Sequence, residues 1–412
     1  MEPVTCRWVR AQLTVAQDLF DRQILGLKVT PVSTKAVDVA GVLFEAVTGR
    51  GSGRPTLGPV HGLPERLVFT EIGVDQQVWC PPETLVVDHG KAFLSAHVIG
   101  VCARLGISIQ PAQPRKPTDK PTVERFFKSL REGLIQHLPS YKGPDLHSRG
   151  LRVEEQAFLF LHELEDVIRD WIVAVYHATD HGGLAVADWP NLAISPNEMF
   201  AVGVAKAGLL RLPATPELVF EFLRVAWRTI QHYGVEIDGR RYNGPALDGY
   251  RNAPSPYRGV AAGKWPVRVN DDDVRFVYFQ DPDEGGWHRL EWEHAPMLGT
   301  PFSAEAAHYA RTLATRTDRF ADPNTALAQV LARWQTGAVT DRRERRMAAR
   351  WSAERAAIPV ADAELGDLTA VAQQQDPPPG ACLTVVAGDD DEDADLIADM
   401  EGFYDDALEV LE

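Results

Sequence analysis

Between Glu83 and Gln113 the chain reads strand, helix, strand: ETLVVDHG, then AFLSAHVIGVCARLG, then ISIQPAQ. The first run is short, apolar and stopped by an Asp-His-Gly turn signal. The second has helical spacing and halts at a glycine. This alternation constrains the fold more than any other feature, because strands that alternate with helices build an α/β layer. The flanks agree. AQLTVAQDLF and QILGLKVT read as two strands with Asp21-Arg22 at the turn between them. Residues Val37 to Gly49 have helical spacing and end on glycine, a common helix stop. Pro111 to Pro121 carries four prolines with Arg115, Lys116, Asp119 and Lys120, so it reads as a loop. TVERFFKSLREGLIQHL then reads as an amphipathic helix, and a further helix is expected over about 154–177.

From about residue 216 the pattern changes. Asp238-Gly239 is a hairpin signal between strand-like runs, and WPVRVN, DVRFVYFQ and GWHRLEW continue as short strands. They predict a small antiparallel β-barrel. Residues 303–357 turn helical and arginine-rich, with Arg342, Arg343, Arg345, Arg346, Arg350 and Arg355. These arginines suit either DNA phosphates or a solvated helix face. From about 359 periodicity fades into an acidic tail, expected to be largely disordered.

The formal net charge of −16 argues against a nucleic-acid partner only until its distribution is examined. Twelve acids and no Lys or Arg lie in 389–412, so the remainder carries −4. Arg104 to Arg152 holds ten Lys or Arg against four acids, a local excess of positive charge. No apolar run reaches membrane-spanning length, and MEPVTCRWVRAQ lacks a signal-peptide core. Cys6, Cys80, Cys102 and Cys382 form no CxxC pair, so neither a disulfide framework nor a cysteine zinc site is expected. The expected location is cytoplasmic and associated with the nucleoid.

Two carboxylates carry the chemistry. Asp88 ends the apolar strand in VVDHGKAF, where open α/β sheets place functional groups. Glu124 opens the helix in PTVERFFKSL, with 35 residues between the two acids. Carboxylates brought together from separate elements suit a hard divalent cation. Lys128 at i+4 and Arg131 at i+7 share the face of Glu124, as a metal site beside a nucleic-acid backbone requires. Taken singly, a strand-end Asp is a turn former and a first-turn Glu complements the helix dipole.

VDHGKAF, the 35-residue gap, PTVERFFKSL and the later YHATDHGGL and SPNEMF together resemble the integrase catalytic core, the DDE recombinase group with an RNase H-like fold. LTVAQDLFDRQILGL and RTIQHYGVEIDGRRYNGPAL resemble the Mu-type transposases, in which a β-barrel follows the core. The resemblance implies an α/β RNase H-like core over 1–200, a mixed sheet flanked by helices. It continues with a small β-barrel over 201–300, an Arg-rich helical segment over 301–358 and the acidic tail over 359–412. It implies Asp88 and Glu124 as the second and third acidic ligands of Mg²⁺ or Mn²⁺. Lys128, Arg131, Lys120, Arg115 and Lys116 would be DNA-binding positions. The implied reaction is nicking at an element end followed by strand transfer into target DNA. The implied partners are transposon-end and target DNA, further copies of this chain on DNA, and an AAA+ ATPase held by the acidic tail.

The first acidic ligand of that family lies on a central strand upstream of LTVAQDLF, and no matching Asp precedes that segment here. Asp18 is a substitute to weigh, and it reads better as a turn aspartate. A misassigned start, a split or truncated gene, and an intact chain without strand-transfer chemistry compete as explanations. The expectation is a chain that lacks most of that first strand as well as its aspartate, and is therefore catalytically incomplete. The alternative is a non-catalytic DNA-binding, assembly or inhibitor protein of a transposition complex. His177 and His181 have the i, i+4 spacing of zinc ligands, yet a structural role suits them better.

Overall fold

The computed structural model describes residues 8–49, 78–112, 121–138, 141, 143, 158–185, 192–209, 217–298, 300–316, 323–337, 339, 341–357 and 381–387. It divides into two compact units, the first drawn from 1–94, 102–216 and 352–388, the second from 95–101, 217–351 and 389–412.

In the first unit, β1 (Gln12–Asp18) and β2 (Ile24–Thr30) form the expected antiparallel hairpin, with Arg22 at its turn in the left-handed region (φ 70°). α1 (Ala36–Thr48) begins where Asp38 accepts the backbone N–H of Lys35 and ends at Gly49 with φ 66°. Its buried face holds Val39, Val42, Leu43 and Ala46. Gly26 of β2 lets α1 come close, since a Cβ there would lie 2.4 Å from the carbonyl oxygen of Val42. β3 (Pro82–Val87), α2 (Ala96–Leu105) and β4 (Ser108–Pro111) realise the strand–helix–strand reading, with β3 and β4 parallel.

α3 (Pro121–Gly133) stops at Gly133, and a short 3₁₀ turn over Ile135–His137 replaces the last turn of the longer helix expected there. α4 (Leu161–Trp171) runs on into a π-helical turn over Ile172–Tyr176, and α5 (Pro196–Ala207) follows behind a Ser195–Glu198 capping box. Val123, Phe126, Leu130 and Leu134 recur at i, i+3 and i+4 along α3, one apolar stripe. That stripe packs with Val15 and Leu27 of the hairpin and with Val167, Ile168 and Trp171 of α4 in one buried cluster. The residues that place Glu124 are therefore core residues.

β2 lies at the edge of its sheet. Side chains cover its open backbone groups. Glu45 accepts the N–H of Leu27 at 3.0 Å and Glu165 that of Val29 at 2.9 Å, while Arg169 donates to the carbonyl of Leu27 and to both carboxylates. Glu45 and Glu165 are each 4 % exposed, so this is a buried charge network that also protects an edge strand.

From residue 217 the second unit holds α6 (Leu218–Glu221) and a six-stranded antiparallel sheet. Its strands are β5 (Arg224–Arg228), β6 (Val235–Ile237), β7 (Arg240–Asn243), β8 (Trp265–Val269), β9 (Phe276–Gln280) and β10 (Trp287–Trp292). The order is β5-β8-β9-β10-β7-β6, with the two end strands in contact, so the barrel is nearly closed. Asp238 (φ 48°) and Gly239 (φ 66°) make the expected hairpin turn. α7 (Ala304–Arg316), α8 (Pro323–Gln335) and α9 (Arg342–Ala357) follow. Arg350 is buried and pairs with Asp272 at 3.7 Å, so it leaves the set of arginines open to a partner, whereas Arg342, Arg343 and Arg345 are exposed.

One strand departs from the sequence reading. Residues 359–412 were expected to be an unstructured tail, but Ala381–Ala387 forms β11 in the sheet of the first unit. The sheet order is β2-β1-β11-β3-β4, with β11 antiparallel to β1 and parallel to β3. CLTVV is apolar with β-branched residues, a strand former hidden between proline-rich and acidic neighbours. The rest of 359–412 lies outside the described residues. The sheet is mixed and flanked by helices. No helix among the described residues is long and apolar enough to cross a membrane.

Candidate metal and nucleic-acid site

Asp88 leaves the C-terminal end of β3, a strand with parallel neighbours on both sides. It is half-buried, and its Oδ1 accepts the N–H of His89 at 2.8 Å, which shapes the turn. Phe93, 4 % exposed, anchors the DHGKAF segment through an N–H bond to the Gly90 carbonyl at 3.0 Å. Glu124 stands exposed in the first turn of α3. Arg125, Lys128 and Arg131 are exposed along the same helix. Lys128 pairs with Glu132 at 3.9 Å, both well exposed, which is a weak and salt-screened contact. Arg115, Lys116 and Lys120 lie outside the described residues.

Asp18 is placed differently. It ends β1 opposite Leu383, which is opposite Leu85 of β3. At ordinary strand spacings this puts it about 10 Å across and about 10 Å along the sheet from Asp88. It is 2 % exposed, and its Oδ1 accepts the N–H of Phe20 at 2.6 Å. Burial raises its pKa from 3.8 to about 6, against the lowering effect of that hydrogen bond. The neighbouring Asp21 is raised as well, by burial and by the charge of Asp18. These are the properties of a buried turn pair. Among the described residues Asp18, Asp88 and Glu124 do not gather as a three-ligand group.

The resemblance motifs further along wrap the same hairpin. His177, 3 % exposed, accepts the N–H of Ile24 through Nε2 at 2.9 Å, and burial takes its pKa down to about 3. Its role in the described structure is structural, as expected. His181 faces the ring of Tyr176, and Asn197 binds Gln23 at 3.0 Å.

Sequence reading missed one cluster. Asp281, Glu284 and His288 bring ligand atoms within 4.8 Å of one another at the β9–β10 turn. The i, i+3, i+7 spacing in DPDEGGWH is its sequence trace. Oδ1 of Asp281 already accepts from the Tyr250 hydroxyl at 2.6 Å and from the N–H groups of Asp283 and Glu284, which accounts for it as a turn knot.

Sequence comparison supports a protein of the transposase and integrase class. The family model described as the TnsB C-terminal domain matches residues 3–140, a stretch that contains both Asp88 and Glu124. The transposase for transposon Tn552 of Staphylococcus aureus is 23% identical over 244 residues, 58% of this chain and 42% of that protein. The match thus spans less than half the length of that curated relative. Among solved structures, a chain in the cryoEM structure of the simian T-cell lymphotropic virus intasome with PP2A regulatory subunit B56 gamma aligns over 69% of this chain and 71% of its own. Its identity is 13% and its TM-score 0.27.

Proposed function

We propose that this chain acts in DNA transposition, with an RNase H-like core of the DDE kind that meets DNA along α3. The observation that carries the reading is the placement of Asp88 and Glu124. One closes a strand with parallel neighbours, and the other opens a helix whose apolar stripe is locked into the core of the same unit. Both are accessible and oxygen-only donors, which in kind suits Mg²⁺ or Mn²⁺. Such ions supply activation of an attacking oxygen and relief of charge on a phosphate. The chain's own contribution is to hold the two carboxylates and to present Lys128 and Arg131 to the phosphate backbone. Nicking at element ends and strand transfer would be the activity of a complete site of this kind.

Among the described residues Asp18, Asp88 and Glu124 do not gather as three ligands, and the register sets Asp18 two strands away from Asp88. This favours a second reading, a DNA-binding or assembly protein of a transposition complex that is catalytically incomplete by itself. Assembly of several copies on DNA, and docking of the acidic tail on an AAA+ ATPase, belong to the same proposal.

The test is Mn²⁺ binding by electron paramagnetic resonance together with duplex binding by fluorescence anisotropy. Asp88→Asn and Glu124→Gln should each abolish Mn²⁺ binding. Lys128→Ala with Arg131→Ala should weaken duplex binding and reduce its salt slope by about two. Unchanged Mn²⁺ binding in both carboxylate variants removes the metal reading. Plasmid nicking by the wild-type chain in Mg²⁺ removes the incomplete-site reading.

A further inference from the structure

A pocket of about 570 Å³ opens in the first unit beside α3, on the flank that carries Arg125. The hairpin turn contributes Arg22, α3 contributes Thr122 and Arg125, and the end of α4 with its π turn contributes Trp171 and Tyr176. The loop from Thr179 to Gly183 closes the remaining side. Neither Asp88 nor Glu124 lines it.

Two cations meet in this pocket. Among the described residues neither the Arg22 nor the Arg125 guanidinium makes a hydrogen bond or an ion pair. Arg22 is half-buried, and burial lowers its pKa, with the charge of Arg125 acting in the same direction. The charges of Asp18 and Asp21 act on Arg22 in the opposite sense to Arg125, without forming an ion pair with it. Asp18 and Asp21 are turned into the hairpin, where each accepts a backbone N–H, and Asp180 is the single acid of the pocket wall. Two like charges held together in a partly dehydrated recess favour an anion between them.

The backbone is bent to make this arrangement. Arg22 occupies the left-handed region (φ 70°), which non-glycine residues rarely adopt and which concentrates at functional positions. Its carbonyl is held by the Gln17 side chain at 3.2 Å, and the same amide donates to the Tyr176 hydroxyl at 3.0 Å. The Arg125 guanidinium reaches the loop at Gly183, where a Cβ would lie 2.9 Å from it. The π turn sets Val175 and Tyr176 on the wall, and such turns recur at functional sites. Trp171 and Tyr176, each 4 % exposed, border the recess from the core side.

A paired-arginine anion site bordered by Trp171 and Tyr176, in a volume ordinary for small-ligand pockets, matches a phosphate that carries a base. We propose that this pocket binds one nucleotide, its phosphate between Arg22 and Arg125 and its base toward Trp171 and Tyr176. The nucleotide is either free or a single unit of a splayed DNA strand. This inference concerns the recess alone and needs neither the metal nor catalysis.

The test uses the full chain with three probes: dTMP, thymidine and a fluorescein-labelled pentathymidylate. Arg125→Gln alters an exposed residue. Arg22→Asn removes the charge while keeping a residue that tolerates the left-handed backbone. Circular dichroism confirms that each is folded. Both variants should weaken binding of the phosphorylated probes at least fivefold, and thymidine should not compete. Equal affinity for dTMP and the pentamer identifies a free nucleotide, whereas affinity for the pentamer alone identifies a strand. Binding within twofold of wild type in both variants, competition by thymidine, or no binding of either phosphorylated probe overturns the proposal. Duplex binding that falls in the Lys128 and Arg131 variants but not in these separates failure of the pocket from failure of the α3 interface.

Discussion

The imidazole of His177 accepts the backbone N–H of Ile24 through Nε2 at 2.9 Å, in a site where the ring is 3 % exposed. A histidine spaced four residues from another thus completes an edge strand. His177→Leu should destabilise the first unit by about 1–3 kcal/mol, because it leaves a buried N–H without an acceptor. The pH dependence follows from burial, which holds the folded pKa near 3 against an ordinary 6.5. The unfolded chain takes up this proton as pH falls through 6.5, and the folded chain does so only near 3. The contribution is therefore present above pH 6.5 and lost progressively toward pH 3. Urea denaturation at pH 7.5 and pH 5 should show a smaller loss on acidification in the variant than in the wild type.

Asp18 pulls the other way. Its folded pKa is raised to about 6, so its contribution is full below 3.8 and lost as pH rises through 6. Asp18→Asn keeps an acceptor for the Phe20 N–H and removes a buried charge. It should stabilise the fold at pH 8 by about 1–3 kcal/mol and leave it nearly unchanged below pH 4. Thermal melts at the two pH values check this. A rise in Tm on adding Mg²⁺ that the variant loses would instead return Asp18 to the metal ligands.

Arg169 is the counter-charge of Glu45 and Glu165. Arg169→Met should cost about 3–5 kcal/mol by leaving two carboxylates buried without their cation. Adding Glu45→Gln and Glu165→Gln to that variant should recover part of the loss. Denaturation midpoints of the three proteins report it.

Ending the chain after Gly380 removes β11 and leaves β1 and β3 without a common neighbour. Amide exchange should then accelerate by about tenfold or more at residues 14–18 and 84–87. Unchanged exchange in those strands would show that β11 does not hold the sheet.

Much of this was legible in the sequence, for local reasons. The hairpin and α1 follow from short-range pattern and from a stop signal at Gly49, whereas α3 reads as running on through Gly133, where the structure ends it. The barrel hairpin follows from Asp238-Gly239. β11 was not legible, because its partners are remote and its neighbours are charged or proline-rich. The Glu165–Arg169 pair reads as an ordinary i, i+4 surface contact, and only the packing of α4 onto β2 turns it inward. For the site, Asp88 and Glu124 stand out through their contexts. The Arg22 and Arg125 pocket does not, since Asp-Arg at a hairpin turn looks like plain polar punctuation.

The position of β11 fixes an order of events during synthesis. Its register joins Thr14 to Ala387, nearly the whole chain apart, and it lies inside the sheet rather than on its rim. A ribosome releases the β1–β2 hairpin early, yet that hairpin's inner neighbour arrives only after the barrel and the helices behind it have been made. Through that interval two apolar strand edges face the cell, the condition in which nascent chains meet chaperones or one another. Among the described residues, a strand made late sits between two strands made early.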